Sequence, residues 1–197
     1  MNFVFDIGNV LIQFKPLPFL ENLFPKKSVQ AKMYETIFQS PEWEQLDRGL
    51  ISQKEALDIF FAREPDFQLS ILKAMENVTD MLTPVSDTVA LLPKIKERGH
   101  SLYYLSNCPA EIRDYLLEKY AFFTLFDGGV FSCDVYATKP SPAIYRHFLE
   151  KYQLDPKDCV FFDDMAENVT AARQEGMQAV QFTDAGCVLP FLPQYIR

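Results

Sequence analysis

Two rhythms of apolar and polar positions alternate along the 197 residues. The opening segment Asn2-Phe3-Val4-Phe5-Asp6 is a short apolar run that closes on a carboxylate, the pattern of a buried strand. From about residue 15 to 83 the apolar positions recur at helical spacing instead, as in Phe19, Leu20, Leu23 and Phe24, and again in Met33, Ile37 and Phe38. Ser52-Gln53-Lys54-Glu55 has the form of a capping box, which predicts a helix running on through Leu57, Phe60 and Phe61. A further helix is expected from Phe67 to Met75. No strand pattern interrupts this stretch, so it reads as a small all-helical insertion.

After Pro84 helices and strands alternate. A helix is expected over about 86–98, stopped by Gly99, with Pro93 either kinking it or starting a second helix. Ser101–Leu105 has the apolar character of a buried strand and is followed by Ser106-Asn107 and a helix from near Pro109. Gly129–Phe131 is a short strand, and Ser141-Pro142 opens a helix with an N-cap residue and a proline at its first position. Cys159–Phe162 is a strand ending in Asp163-Asp164, Glu167–Glu175 a helix, and Ala179–Phe182 a last strand. The alternation predicts an α/β fold with a parallel sheet covered on both faces. The expected division is a core of residues 1–14 and 84–197 and a helical cap of residues 15–83, inserted after the first strand.

Composition narrows the partners. Hydrophobic residues make up 48% of the chain, enough for a packed core, and the net charge of −8 supplies no basic surplus for nucleic acid. No apolar run reaches the roughly 20 residues that span a bilayer, and no basic segment precedes an apolar one at the start. The four cysteines, Cys108, Cys133, Cys159 and Cys187, are widely spaced, and with only two histidines a zinc site is not expected. The expectation is a cytoplasmic protein with reduced thiols, no membrane partner and a small-molecule substrate. An acidic chain that handles phosphate must gather positive charge locally.

The candidate chemistry lies at the carboxyl ends of the expected strands, where open parallel sheets bind ligands: Asp6, Ser106-Asn107, Lys139-Pro140 and Asp163-Asp164. A carboxylate can attack phosphorus. A second carboxylate beside it calls for a cation between them, and hard oxygen ligands suit magnesium. A hydroxyl and an amide at a helix start can hold phosphate oxygens, and a lysine can balance the charge that gathers there. Taken singly, Asp6 could begin a turn, Ser106-Asn107 could be a helix cap and Lys139 one more solvated lysine. Adjacent Asp163 and Asp164 behind an apolar run are harder to explain without a compensating cation.

As an ordered set, these residues resemble the haloacid dehalogenase superfamily. Phe5-Asp6-Ile7-Gly8-Asn9-Val10-Leu11 is similar to its first motif, Leu105-Ser106-Asn107 to the second, Lys139-Pro140 to the third, and Phe162-Asp163-Asp164-Met165-Ala166-Glu167-Asn168 to the fourth. The D-x-G-N form of the first motif and the segment Leu46–Ser52 resemble the glucose-1-phosphate phosphatase-like branch, whose caps are helical. The resemblance implies a Rossmann-like core and a magnesium-dependent phosphatase acting on a small phosphorylated metabolite, a sugar phosphate by preference, through a phospho-aspartyl intermediate. It implies Asp6 as nucleophile, and Asp6, the Gly8 carbonyl and Asp164 as magnesium ligands. Asp163 and Asn168 would support them, Ser106 and the Asn107 N–H would bind the phosphoryl group, and Lys139 would neutralise charge.

The pattern is broken at Gly8, where phosphatases of this superfamily carry a second aspartate as general acid and base. That help is typically worth about 10²–10⁴ in rate. A good leaving group, or Asn9 or Asp47 acting in its place, would compensate. Other readings are a catalytically silent binding or regulatory protein and a 2-haloacid dehalogenase, which needs no metal.

Overall fold

A computed structural model of the chain describes residues 1–192; residues 193–197 of the expected core lie outside the described residues. Five parallel strands, β1 (Asn2–Phe5), β2 (Ser101–Ser106), β3 (Gly128–Phe131), β4 (Cys159–Asp163) and β5 (Gln178–Gln181), form one sheet in the order β3-β2-β1-β4-β5. The first strand is therefore central. The chain builds outward from it on one side, then returns to add β4 on the other, which places a topological switch point between β1 and β4.

The alternation of side chains sorts the core into two layers. Phe3, Phe5 and Phe162 belong to one apolar cluster, while Val4 and Phe161 belong to the other with Tyr145, Phe148 and Val169 of the helices Pro142–Tyr152 and Ala166–Gln174. Both faces are covered, which is why the strand interiors are apolar and polar residues such as Asn2, Ser101, Ser106 and Asp163 stand at strand ends. The first cluster continues without a break into the helical segment through Leu20, Met33, Ile37, Phe60 and Ile71.

Between β1 and β2 the chain forms helices over Pro16–Leu23, Lys27–Met33, Pro41–Asp47, Gln53–Arg63 and Gln68–Glu76. The expected capping box is made: Ser52 accepts from the Glu55 N–H while the Glu55 carboxylate accepts from the Ser52 N–H at 2.8 Å. Pro41–Asp47 begins on Ser40, whose hydroxyl accepts from the Trp43 N–H at 3.2 Å. This segment meets the sheet through two adjacent stretches, where Gln13 N–H donates to the Thr83 carbonyl at 2.7 Å and Val85 N–H to the Leu11 carbonyl at 2.8 Å. Pro93 starts a second helix, Leu92–Glu97, after the short one over Ser86–Val89. All four cysteines are free thiols. Among the described residues no helix is long and apolar enough to cross a membrane.

Candidate active site

Parallel pairing in register brings three strand ends to one place. Phe5 pairs with Tyr104 on one side and Phe162 on the other, so the residues that follow, Asp6, Leu105-Ser106 and Asp163, come side by side. Asp6 extends the ladder by one bond, its N–H donating to the Phe162 carbonyl at 2.9 Å. The chain then turns sharply: the N–H groups of Leu11 and Ile12 both donate to the Ile7 carbonyl at 2.9 Å. Asn9 takes the left-handed conformation in this turn, with φ of 54°, which asparagine tolerates better than most residues. Its side chain accepts from the Phe14 N–H at 3.0 Å and donates to Asp164 Oδ2 at 3.1 Å, so it ties the first loop to the fourth.

Lys139 is buried at the centre. Its ammonium lies 2.8 Å from Asp6 Oδ1 and 2.6 Å from Asp163 Oδ2. The Asn107 side chain clamps the Lys139 backbone from both sides, accepting from its N–H at 2.8 Å and donating to its carbonyl at 3.0 Å. Asp163 is fully buried and accepts from Lys139, from the Met165 N–H at 2.8 Å and from the Asn168 amide at 3.0 and 3.1 Å. A buried carboxylate with this many donors is a structural anchor for the lysine.

The carboxylates of Asp6, Asp163 and Asp164 each offer an oxygen within 4.8 Å of the others. Burial raises the Asp6 carboxyl to about 6; Lys139 opposes this and the neighbouring Asp163 charge adds to it. Asp164 is also raised, by burial first and by Asp163, against the hydrogen bond from Asn9. Burial alone would lower the Lys139 ammonium, but Asp6 and Asp163 more than offset it and hold its pKa above the ordinary value. Three ionised carboxylates against one ammonium leave a surplus of two negative charges, which a divalent cation would balance. Asn168 Oδ1, buried and without a hydrogen-bond partner among the described residues, is a further oxygen that a hydrated cation would satisfy. The donor set is all oxygen and hard, so it fits magnesium.

The floor thus brings together the candidates Asp6, Gly8, Ser106, Asn107, Lys139, Asp163, Asp164 and Asn168: all but Asp163 line one cavity of about 390 Å³, and Asp163 lies beneath it. Asp47 also lines it, from the helical segment. Two contacts set its position. The Ser132 hydroxyl, just past β3, donates to the Asp47 carbonyl. Gly49, with φ of 65°, approaches the Cys133 backbone so closely that a Cβ would lie 2.4 Å from its carbonyl oxygen. The Leu46–Ser52 turn is docked on the core, and glycine is what permits it. The Asp47 carboxyl is raised to about 7, by burial first and then by the Asp6 charge. Arg48, Tyr34, Phe60 and Phe61 of the helical segment do not line the cavity, whereas Trp43 does. Asn9 as the tether of Asp164 was missed; its signal was an asparagine in a tight turn directly after the strand.

A family model described as haloacid dehalogenase-like hydrolase matches residues 1–176. A sesquiterpene phosphatase of Aspergillus oryzae is 29% identical over 182 residues, covering 92% of this chain and 89% of that protein. Flavin mononucleotide hydrolase 1 of Arabidopsis thaliana is 29% identical over 147 residues, covering 73% of this chain and 57% of that one. In fold, the chain is similar to a haloacid dehalogenase family enzyme of Bacteroides thetaiotaomicron, with a TM-score of 0.77 at 18% identity, covering 98% of both chains. Another structure of that enzyme, in complex with magnesium and inorganic phosphate, gives a TM-score of 0.74 at 23% identity over 93% of this chain and 94% of that one.

Proposed function

The chain belongs to the haloacid dehalogenase-like hydrolases, and from that premise we propose that it is a magnesium-dependent phosphatase that cleaves a small phosphate monoester through a phospho-aspartyl intermediate on Asp6. The observation that carries this reading is the convergence of the Asp6, Asp163 and Asp164 carboxylates at the sheet's switch point, with the buried Lys139 ammonium bridging the first two. The names of the two curated relatives, a phosphatase and a mononucleotide hydrolase, support phosphate-ester chemistry.

Asp6, Asp164 and the Gly8 carbonyl would hold the magnesium, which when bound offsets the repulsion between an anionic nucleophile and an anionic phosphate. The rest falls to the chain's own side chains. Lys139, fixed by Asp163 below and Asn107 behind, steadies the ionised Asp6 and draws the phosphoryl group toward it. The Ser106 hydroxyl and the N–H of Asn107, ahead of the helix Ala110–Lys119, receive phosphoryl oxygens. An Asp6 carboxylate oxygen attacks phosphorus, the ester P–O bond breaks, and the departing oxygen takes a proton. Water then attacks the same phosphorus, releasing inorganic phosphate and regenerating the carboxylate.

The helical segment 15–83 acts in this reading as a cap that brings Asp47 over the floor. A carboxyl raised to about 7 still carries a proton near neutrality and can give it to the leaving oxygen, the task that Gly8 cannot perform. The finer expectation, a sugar phosphate and the glucose-1-phosphate phosphatase-like branch, rests on the D-x-G-N form and the Leu46–Ser52 turn. A metal-free dehalogenase would leave the surplus negative charge of Asp6, Asp163 and Asp164 unbalanced. Phosphate release from a panel of monoesters, with magnesium and with EDTA, tests the reading. Magnesium-dependent release lost in Asp6→Asn by about 10⁴-fold or more is the expected result; turnover that survives EDTA or the substitution would defeat it.

A further inference from the structure

The cavity above Asp6 is unlike its floor. Its upper walls are Ile12, Phe14, Phe38, Trp43, Ile112 and Leu116, contributed by the first loop, the helical segment and the helix after β2. Three of these are rings packed on one another: Phe38 and Trp43 have centroids 4.8 Å apart, Phe14 and Trp43 5.9 Å, and Phe14 and Phe38 6.1 Å. They form one aromatic wall, and Phe14 and Phe38 are only half-buried.

Most polar side chains of the cavity floor are already committed. Asn9 holds Asp164 and the Phe14 N–H, and Asn107 holds the Lys139 backbone. Ser106, Lys139 and Asp6 serve the phosphoryl group. Above the floor, the lining leaves Asp47, the Trp43 indole N–H and, at the exposed mouth, Glu167 as partners for a leaving group. A sugar carries several hydroxyls, and each one enclosed without a partner weakens binding by roughly tenfold. A hydrocarbon body asks for no partner and gains from every methylene it buries. The volume of about 390 Å³ is near the lower end of ligand sites, so the body is compact.

Resting on the phosphatase reading above, we infer that the substrates are phosphate monoesters of apolar alcohols, with the phosphate on the Asp6–Lys139 floor and the hydrocarbon body against the Phe14–Phe38–Trp43 wall. Asp47 is then the carboxyl that the walls offer to the ester oxygen, which suits an alcohol leaving group that needs a proton and little else.

Inorganic phosphate release is measured in magnesium for butyl, hexyl and octyl phosphate, beside glucose 1-phosphate and glucose 6-phosphate. The expected kcat/KM rises roughly threefold to fourfold per added methylene until the cavity is filled, and the longer alkyl esters exceed both glucose phosphates. Phe38→Ser flattens that slope; the wild-type series decides the matter without it. A flat series, or glucose phosphates cleaved as fast as octyl phosphate, overturns the inference and leaves the phosphatase standing. No release from any of the five esters overturns the phosphatase reading and this inference with it.

Discussion

The floor and the walls of the cavity are built on opposite physical plans. The floor sits at the ends of β1, β2 and β4, where backbone pairing fixes position to a fraction of a residue, and its side chains are charged, buried and cross-linked by hydrogen bonds. The walls come largely from helices and loops, and they are apolar, with Asp47 as their one deeply set charge carrier. A rigid, high-field floor suits a reaction common to many substrates, since preorganised charge is most effective where water is excluded. Apolar walls carried by loops and helices, apart from the strand ends, can change which leaving group is admitted without disturbing the charges beneath.

This contrast fails if the floor is not held by its charges. Lys139→Met leaves Asp6 and Asp163 facing each other in a buried site, and the expected cost is about 3–5 kcal/mol of stability in urea unfolding. The loss is expected to shrink as the pH falls and the Asp6 carboxyl takes up a proton. A variant as stable as the parent at neutral pH would mean that the cluster is better hydrated than its burial indicates.

Asp47→Asn asks whether the walls contribute chemistry. Turnover of alkyl phosphates is expected to fall on the order of 10²-fold, and the alkaline decline of rate above about pH 7 to disappear. Stability gives an independent sign. The folded state keeps the Asp47 proton that the unfolded chain has already lost, so between about pH 4 and about pH 7 rising pH costs the metal-free wild type stability. The variant lacks that slope, and its melting temperature should gain on wild type as the pH rises. Parallel melting curves across this range, with unchanged turnover, would remove Asp47 from the mechanism.

Smaller effects test how the two regions are joined. Gly49→Ala puts a methyl group on the Cys133 carbonyl and strains a left-handed residue, so the turn must lift and carry Asp47 away. Turnover is expected to fall about tenfold, with stability lowered by roughly 1–2 kcal/mol. Smallest is Gly8→Asp, where a Cβ meets nothing within 4 Å. With Asp47 already serving as the acid, the rate should change by less than about threefold. A gain of 10²-fold would show that the missing aspartate was a true deficit.

The two regions also differed in how far the sequence revealed them. Strands that are buried on both faces read as apolar runs, so a carboxylate, hydroxyl or lysine at their ends stands out, and Asp6, Ser106 and Asp163-Asp164 were visible at once. Helical periodicity marks a face as apolar without saying whether that face meets the core or a cavity. Trp43 and Phe60 have the same signature, yet one lines the site and the other is core. The helix Pro41–Asp47 spans about two turns, too few for its period to be read. The place of Asp47 depends on Gly49 meeting a backbone 84 residues further on, a contact with no local trace.

The most direct test of the central claim is acid quenching of the enzyme during turnover of octyl phosphate in magnesium, followed by peptide mass analysis. One phosphoryl group on the peptide that holds Asp6, absent in Asp6→Asn and lost on longer incubation in water, is the predicted result. Phosphate released at a steady rate with no phosphoryl group on that peptide at any time, under conditions that trap acyl phosphates, would contradict the assignment of Asp6 as nucleophile.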